Sequence, residues 1–92
     1  MELLGDIKYI QDRFSGKDNS GKDKLEYIVS IQAMDRDKLF EEMKSKIWLS
    51  AYAGNNPRSD YHWHVDALYD EGKRRFGDDK LYSKAWNYCF RG

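Results

Sequence analysis

The chain predicts a small α+β domain. A β-hairpin (about 2–13 and 25–33) is expected to pack on three helices (about 36–53, 60–76 and 79–90). Three observations lead there. Leu25, Tyr27, Val29, Ile31 and Ala33 alternate with Glu26, Ile28, Ser30 and Gln32, the period-two pattern of a strand with one buried face. Later segments repeat their apolar residues at helical spacing. The stretch between 15 and 24, SGKDNSGKDK, has no apolar residue and two glycines, so it reads as a flexible connecting loop.

A strand at 25–33 needs a partner for its backbone groups. Residues 2–13 supply one, with Leu3, Ile7 and Tyr9 on one face. The same residues also read as a helix through Leu3, Ile7, Ile10 and Phe14. The alternative fold is therefore mainly α with an N-terminal helix. Asp35 fits an N-cap, and Leu39, Phe40, Met43, Ile47 and Ala51 follow at helical spacing, with Glu42 and Lys46 as an acid-before-base pair. The run IWLSAYA is apolar nearly all round and predicts a central helix, ended by Gly54.

The segment NNPRSDYHWHVD raises two competing periods. As a strand, Asp60, His62, His64 and Asp66 share a face; as a helix, Tyr61, Val65, Leu68, Gly72 and Phe76 form a stripe. Asp70 before Arg74 and Glu71 before Arg75, with Gly77 as stop, decide for helix. Ser59 or Asp60 is the cap. The last helix carries Tyr82, Trp86, Tyr88 and Phe90 around its axis, and the spacing of Trp86 with Ala85 and Cys89 places Trp86 nearer the core. Such aromatic surplus implies deep packing or a partner surface.

Ninety-two residues make one domain. Aromatic residues form 15% of the chain and charged residues 35%, with mean hydropathy −0.93. Sixteen basic residues balance sixteen acidic ones, and the isoelectric point is about 6.7. That balance lacks the positive excess of a DNA-phosphate binder and offers little resistance to self-association. Cys89 is the single cysteine, so no internal disulfide forms and a reducing, cytoplasmic setting is expected. No secretory signal and no membrane-spanning run is evident.

His62-Trp63-His64-Val65-Asp66 resembles the H-x-H-x-D core of metallo-β-lactamase-fold hydrolases. The resemblance implies metal binding by His62, His64 and Asp66, with Cys89 as a further candidate ligand. It covers five residues, has Ala67 where that family has another histidine, and sits in a chain too short for that fold. On a helix, His62 and His64 diverge by about 200°. No catalytic residue and no cofactor is assigned.

Lys73, Arg74 and Arg75, with Lys80 and Lys84, form a basic concentration that suits phosphate or nucleic-acid contact, although Asp70, Glu71, Asp78 and Asp79 flank it. Arg58, Tyr61, Trp63 and Tyr82 are residue types enriched at interface hot spots. The leading expectation is a non-enzymatic protein-binding module, an inhibitor or regulator of a larger enzyme in the manner of short bacterial and phage accessory proteins. The partner is a protein, or another copy in a homo-oligomer. The alternative is a small nucleotide- or RNA-binding protein, and the third reading a metal-dependent hydrolase.

Overall fold

Four polar side chains start four helices. In the computed structural model, which describes residues 3–91, Asp6 accepts from the Tyr9 N–H, Asp23 from Leu25, Asp35 from Lys38 and Ser59 from Tyr61. Each bond satisfies an amide that the first helical turn leaves unpaired. The helices that follow are α1 (Ile7–Arg13), α2 (Lys24–Gln32), α3 (Arg36–Tyr52), α4 (Asp60–Phe76) and α5 (Lys80–Arg91). Gly77 ends α4 in a left-handed conformation, φ 78°, with its N–H on the Lys73 carbonyl at 2.8 Å.

The expected β-hairpin is absent, and the α+β reading is corrected to an all-helical bundle. Among the described residues no strand forms; Lys17 and Asp23 make one isolated bridge inside the loop. The segment 25–33 is α2, whose buried residues are Ile28 and Ile31. They lie three apart, on one face of a helix and on opposite faces of a strand. The alternation depended on leaving Ile28 outside the core, yet Ile28 is 4% exposed. The segment 2–13 largely becomes α1, which buries Ile10, and Phe14 follows it into the core; residues 1 and 2 lie outside the described part. The three C-terminal helices occupy nearly the expected ranges.

The bundle has a definite direction. Lys84 stands over the Phe40 ring, and the Cys89 thiol donates to the Lys44 carbonyl at 3.3 Å, so α3 and α5 run side by side in the same sense. α4 returns against them, with His62 meeting Ser50 near one end and Gly72 backing onto Met43 further along. A Cβ at Gly72 would lie 3.1 Å from the Met43 methyl, so glycine allows that close approach. Ile31, Leu39, Met43 and Leu68 are the largest fully buried side chains.

The second half of α3 differs from expectation. Ile47 is buried, but Trp48 is 56% exposed and Tyr52 85% exposed. One stripe of α3 fills the core, and a second aromatic stripe faces outward. No helix is long and apolar enough to cross a membrane, among the described residues.

Candidate functional site

The stretch with both histidines begins α4 and is tied to the polar loop. The Asp60 carboxylate accepts from the Asn19 N–H at 3.1 Å and the Trp63 indole N–H at 2.9 Å. Asn19 also donates its amide to the Arg58 carbonyl at 2.8 Å. Asp18 organises the loop from within, accepting from the Ser20 N–H, the Ser20 hydroxyl and the Lys22 N–H. Those bonds hold the Asp18 carboxyl below its usual range, the Ser20 hydroxyl contributing most.

His62 and His64 do different work. His62 Nε2 lies 3.1 Å from the Ala53 carbonyl and 2.9 Å from the Asn56 carbonyl. Facing two acceptors, Nε2 must carry the proton, so Nδ1 accepts from the Ser50 hydroxyl at 2.7 Å. His62 thus closes the C-terminal end of α3. His64 stacks on Tyr27 with centroids 4.1 Å apart, and its Nδ1 is buried with no partner. Burial holds its pKa below the ordinary imidazole value. Asp66 reaches Arg13 only at 3.9 Å. The described residues contain no group of three or more His, Cys, Asp or Glu placed to hold a metal ion.

Ser50 and His62 have the separation of a nucleophile and its base. Ser50 sits within α3, however, where backbone N–H groups are already bonded to carbonyls one turn back, leaving no backbone donor for an oxyanion. Cys89 spends its thiol on Lys44, and burial pushes its pKa up, away from a reactive thiolate. Tyr27 donates to Glu42 at 2.7 Å and Lys46 pairs with the same oxygen at 2.8 Å. Burial, then the Glu42 bond, pushes the Tyr27 hydroxyl well above its usual range. Burial raises the Glu42 carboxyl, but the Lys46 and Tyr27 bonds outweigh it and hold the group low. These groups form a satisfied network that fixes α2 against α3.

The basic concentration is divided. Arg74 bonds Glu71 through Nε and Nη2, and Arg75 reaches the same buried carboxylate. The Asp70–Arg74 pair expected from spacing is not made; Asp70 pairs with Arg13 at 3.0 Å. Lys73 stands over Tyr69 at 5.7 Å. Lys80 and Lys84 lie elsewhere, with Arg36 around a separate cleft.

The proposed partner residues divide as well. Arg58 is exposed in the α3–α4 loop, whereas Tyr61, Trp63 and Tyr82 are half-buried. Trp63 packs edge-on to Tyr27 and tilted against Phe14, and Tyr82 meets Tyr69 edge-on at 5.2 Å. Trp86, expected nearer the core, is 43% exposed. Trp48, Tyr52, Trp86, Tyr88 and Phe90 are open rings of α3 and α5, and Tyr9 and Phe76 are open as well. Trp48 and Tyr52 carried a readable signal, since they fall four apart and away from the Leu39–Met43–Ile47 stripe.

Trp86 and Phe90, centroids 4.7 Å apart, border a groove of about 200 Å³ with Ile47, Ser50, Ala51, Val65 and Tyr82. No acidic or basic side chain lines it. On the other flank of α5, Trp48 and Tyr88 border a shallow groove of about 550 Å³ with Lys44 and Cys89. Comparison with protein-family models, curated proteins and solved structures returns no match for this chain.

Proposed function

We propose that the protein is a non-enzymatic protein-binding module, docking a larger partner protein on the groove that α3, α4 and α5 form around Trp86 and Phe90. The observation that carries this reading is the uncharged lining, with Trp86 and Phe90 open beside Ile47, Ala51 and Val65. Interface centres are depleted of charge and enriched in large rings, which contribute strongly once a partner excludes water. Regulation or inhibition follows from occupying the partner's surface, without chemistry of its own. Cys89, unpaired and bonded to a backbone carbonyl, suits a reducing cytoplasmic setting.

The test is a tagged pull-down identified by mass spectrometry, repeated with the purified partner and the double variant Trp86→Ser, Phe90→Ser. Partner affinity should fall by at least tenfold while the circular dichroism melt stays close to wild type. Sedimentation separates a second copy of this chain from a foreign partner. Undiminished binding by the folded double variant would move the interface elsewhere.

A further inference from the structure

We propose that the seam between α3 and α5 binds single-stranded nucleic acid, with phosphates held by Arg36, Lys80 and Lys84 and an unpaired base in the groove beside Trp48 and Tyr88. The parallel course of the two helices creates this arrangement. Four-residue spacing on α3 carries Arg36, Phe40, Lys44 and Trp48 up one wall, and Lys80, Lys84 and Tyr88 rise opposite. Lys84 Nζ lies 5.6 Å from the Phe40 centroid; Lys44 Nζ lies 4.8 Å from Phe40 and 4.2 Å from Tyr88. Cations and rings therefore alternate along one surface.

Its two ends suit the two parts of a nucleotide. At one end a cleft of about 210 Å³ is lined by Arg36, Lys80 and Lys84, with Phe76 and Leu81. Its carboxylate, Asp78, accepts the Lys80 N–H at 3.0 Å. Arg36 touches Asp37 only at 3.5 Å on open surface, and no ion pair engages Lys80 or Lys84 among the described residues. At the other end the 550 Å³ groove offers the exposed Trp48 and Tyr88 rings and the Ser45 hydroxyl; its one carboxylate, Glu41, is paired with Lys44. Arg36 and Trp48 stand about 18 Å apart along α3, a span that suits several linked nucleotides better than a lone phosphate.

The occupant follows from the residue types. Lysines are depleted from protein interfaces, whereas lysines alternating with open rings are what a single strand uses for its phosphates and bases. A duplex hides its base faces and needs a broader basic footprint than this balanced chain provides. Along the two grooves four basic side chains, Arg36, Lys44, Lys80 and Lys84, stand against two carboxylates, Glu41 and Asp78. The surface is separate from the Trp86–Phe90 groove, because residues two apart on α5 point about 200° apart.

Fluorescein-labelled short oligo(U) and oligo(dT) strands, followed by anisotropy at about 50 mM salt, test the proposal. Both should bind, quenching Trp48 fluorescence, with log affinity falling against log salt at a slope near −2, from about −0.7 per phosphate engaged. A tighter oligo(U) assigns the site to RNA and a tighter oligo(dT) to DNA. Lys80→Glu with Lys84→Glu should lower affinity at least tenfold and flatten the slope. Trp48→Ala should cost on the order of tenfold. Lys80→Gln with Lys84→Gln serves if charge reversal disturbs the melt. The charge-matched Lys8→Glu with Lys22→Glu, and Trp86→Ser, should bind as wild type. No binding at about 100 µM, or equal affinity for an abasic strand or polyglutamate, would overturn the proposal. Equal loss in the Lys8, Lys22 control would do the same.

Discussion

Arg75 closes the C-terminus of α2 from a different helix: its Nη1 donates to the Met34 carbonyl at 2.7 Å and its Nη2 to the Ile31 carbonyl at 3.1 Å. Glu71, 4% exposed, holds the guanidinium in place and binds Arg74 as well. A buried carboxylate needs such partners, and a helix end needs its last carbonyls satisfied. One fork of donors meets both needs.

Arg75→Ala should therefore lower stability by about 2 kcal/mol, leaving the α2 carbonyls open and Glu71 with one partner fewer. Arg75→Lys should recover little, because a compact ammonium cannot span the same acceptors. For a domain of this size that is a fall of roughly 10 °C in melting temperature. A melt unchanged by Arg75→Ala would show that water caps α2 equally well.

This contact explains what the sequence could reveal. Glu71 before Arg75 is a local signal for helix, and it is made. That Arg75 also captures carbonyls 41 and 44 residues away has no local trace. The late helices were legible because Asp35, Ser59 and Gly77 act within a few residues. α2 reads as a strand because its nine residues also alternate, whereas α4 rather than propensity decides which face is buried. The site suffers similarly: in an apolar run Trp48 and Tyr52 read as core, although their spacing sets them away from the Leu39–Met43–Ile47 stripe.

His64 should make stability pH-dependent. Burial holds its folded pKa below the ordinary value of 6.5, so the unfolded chain binds more protons as pH drops below about 6.5. The stabilisation from a neutral His64 is complete above that pH and is lost as pH falls toward the folded pKa. Glu42, also depressed, acts only lower, below its ordinary 4.5. His64→Phe keeps the stack on Tyr27 and removes the unpartnered Nδ1. Its melt should match or exceed wild type at neutral pH and lose less between about pH 7 and pH 5.5. An identical acid slope in both proteins would assign the effect to another group.

The three tryptophans should separate in stability opposite to their sequence reading. Trp63 contacts Phe14, Tyr27 and His64 and bonds Asp60, so Trp63→Ala should cost about 3 kcal/mol. Trp48→Ala and Trp86→Ala remove rings that are 56% and 43% exposed and should each cost less than about 1 kcal/mol. Chemical denaturation distinguishes them; a large loss for Trp86→Ala would restore it to the core.

The loop at 15–24 gives the last contrast. Joining a hairpin, it would tolerate replacement by a two-residue turn. Joining α1 to α2, it cannot be cut so short without losing contacts of its own. Asp23 caps α2, and Asn19 binds both Asp60 and the Arg58 carbonyl across the start of α4. Replacing residues 15–23 with Asn-Gly removes all of these and forces Phe14 and Leu25 together, so the melt should fall by well over 10 °C or the chain should fail to fold. Asn19→Ala, a milder probe, should cost about 1 kcal/mol. By freeing the loop from the Arg58 carbonyl it should also raise amide hydrogen exchange at residue 19 and Trp63 while leaving Leu39 and Leu68 protected, because the core does not depend on the loop. Exchange unchanged at residue 19 and Trp63 would mean that the bond from the Asn19 side chain to the Arg58 carbonyl is not what holds the loop.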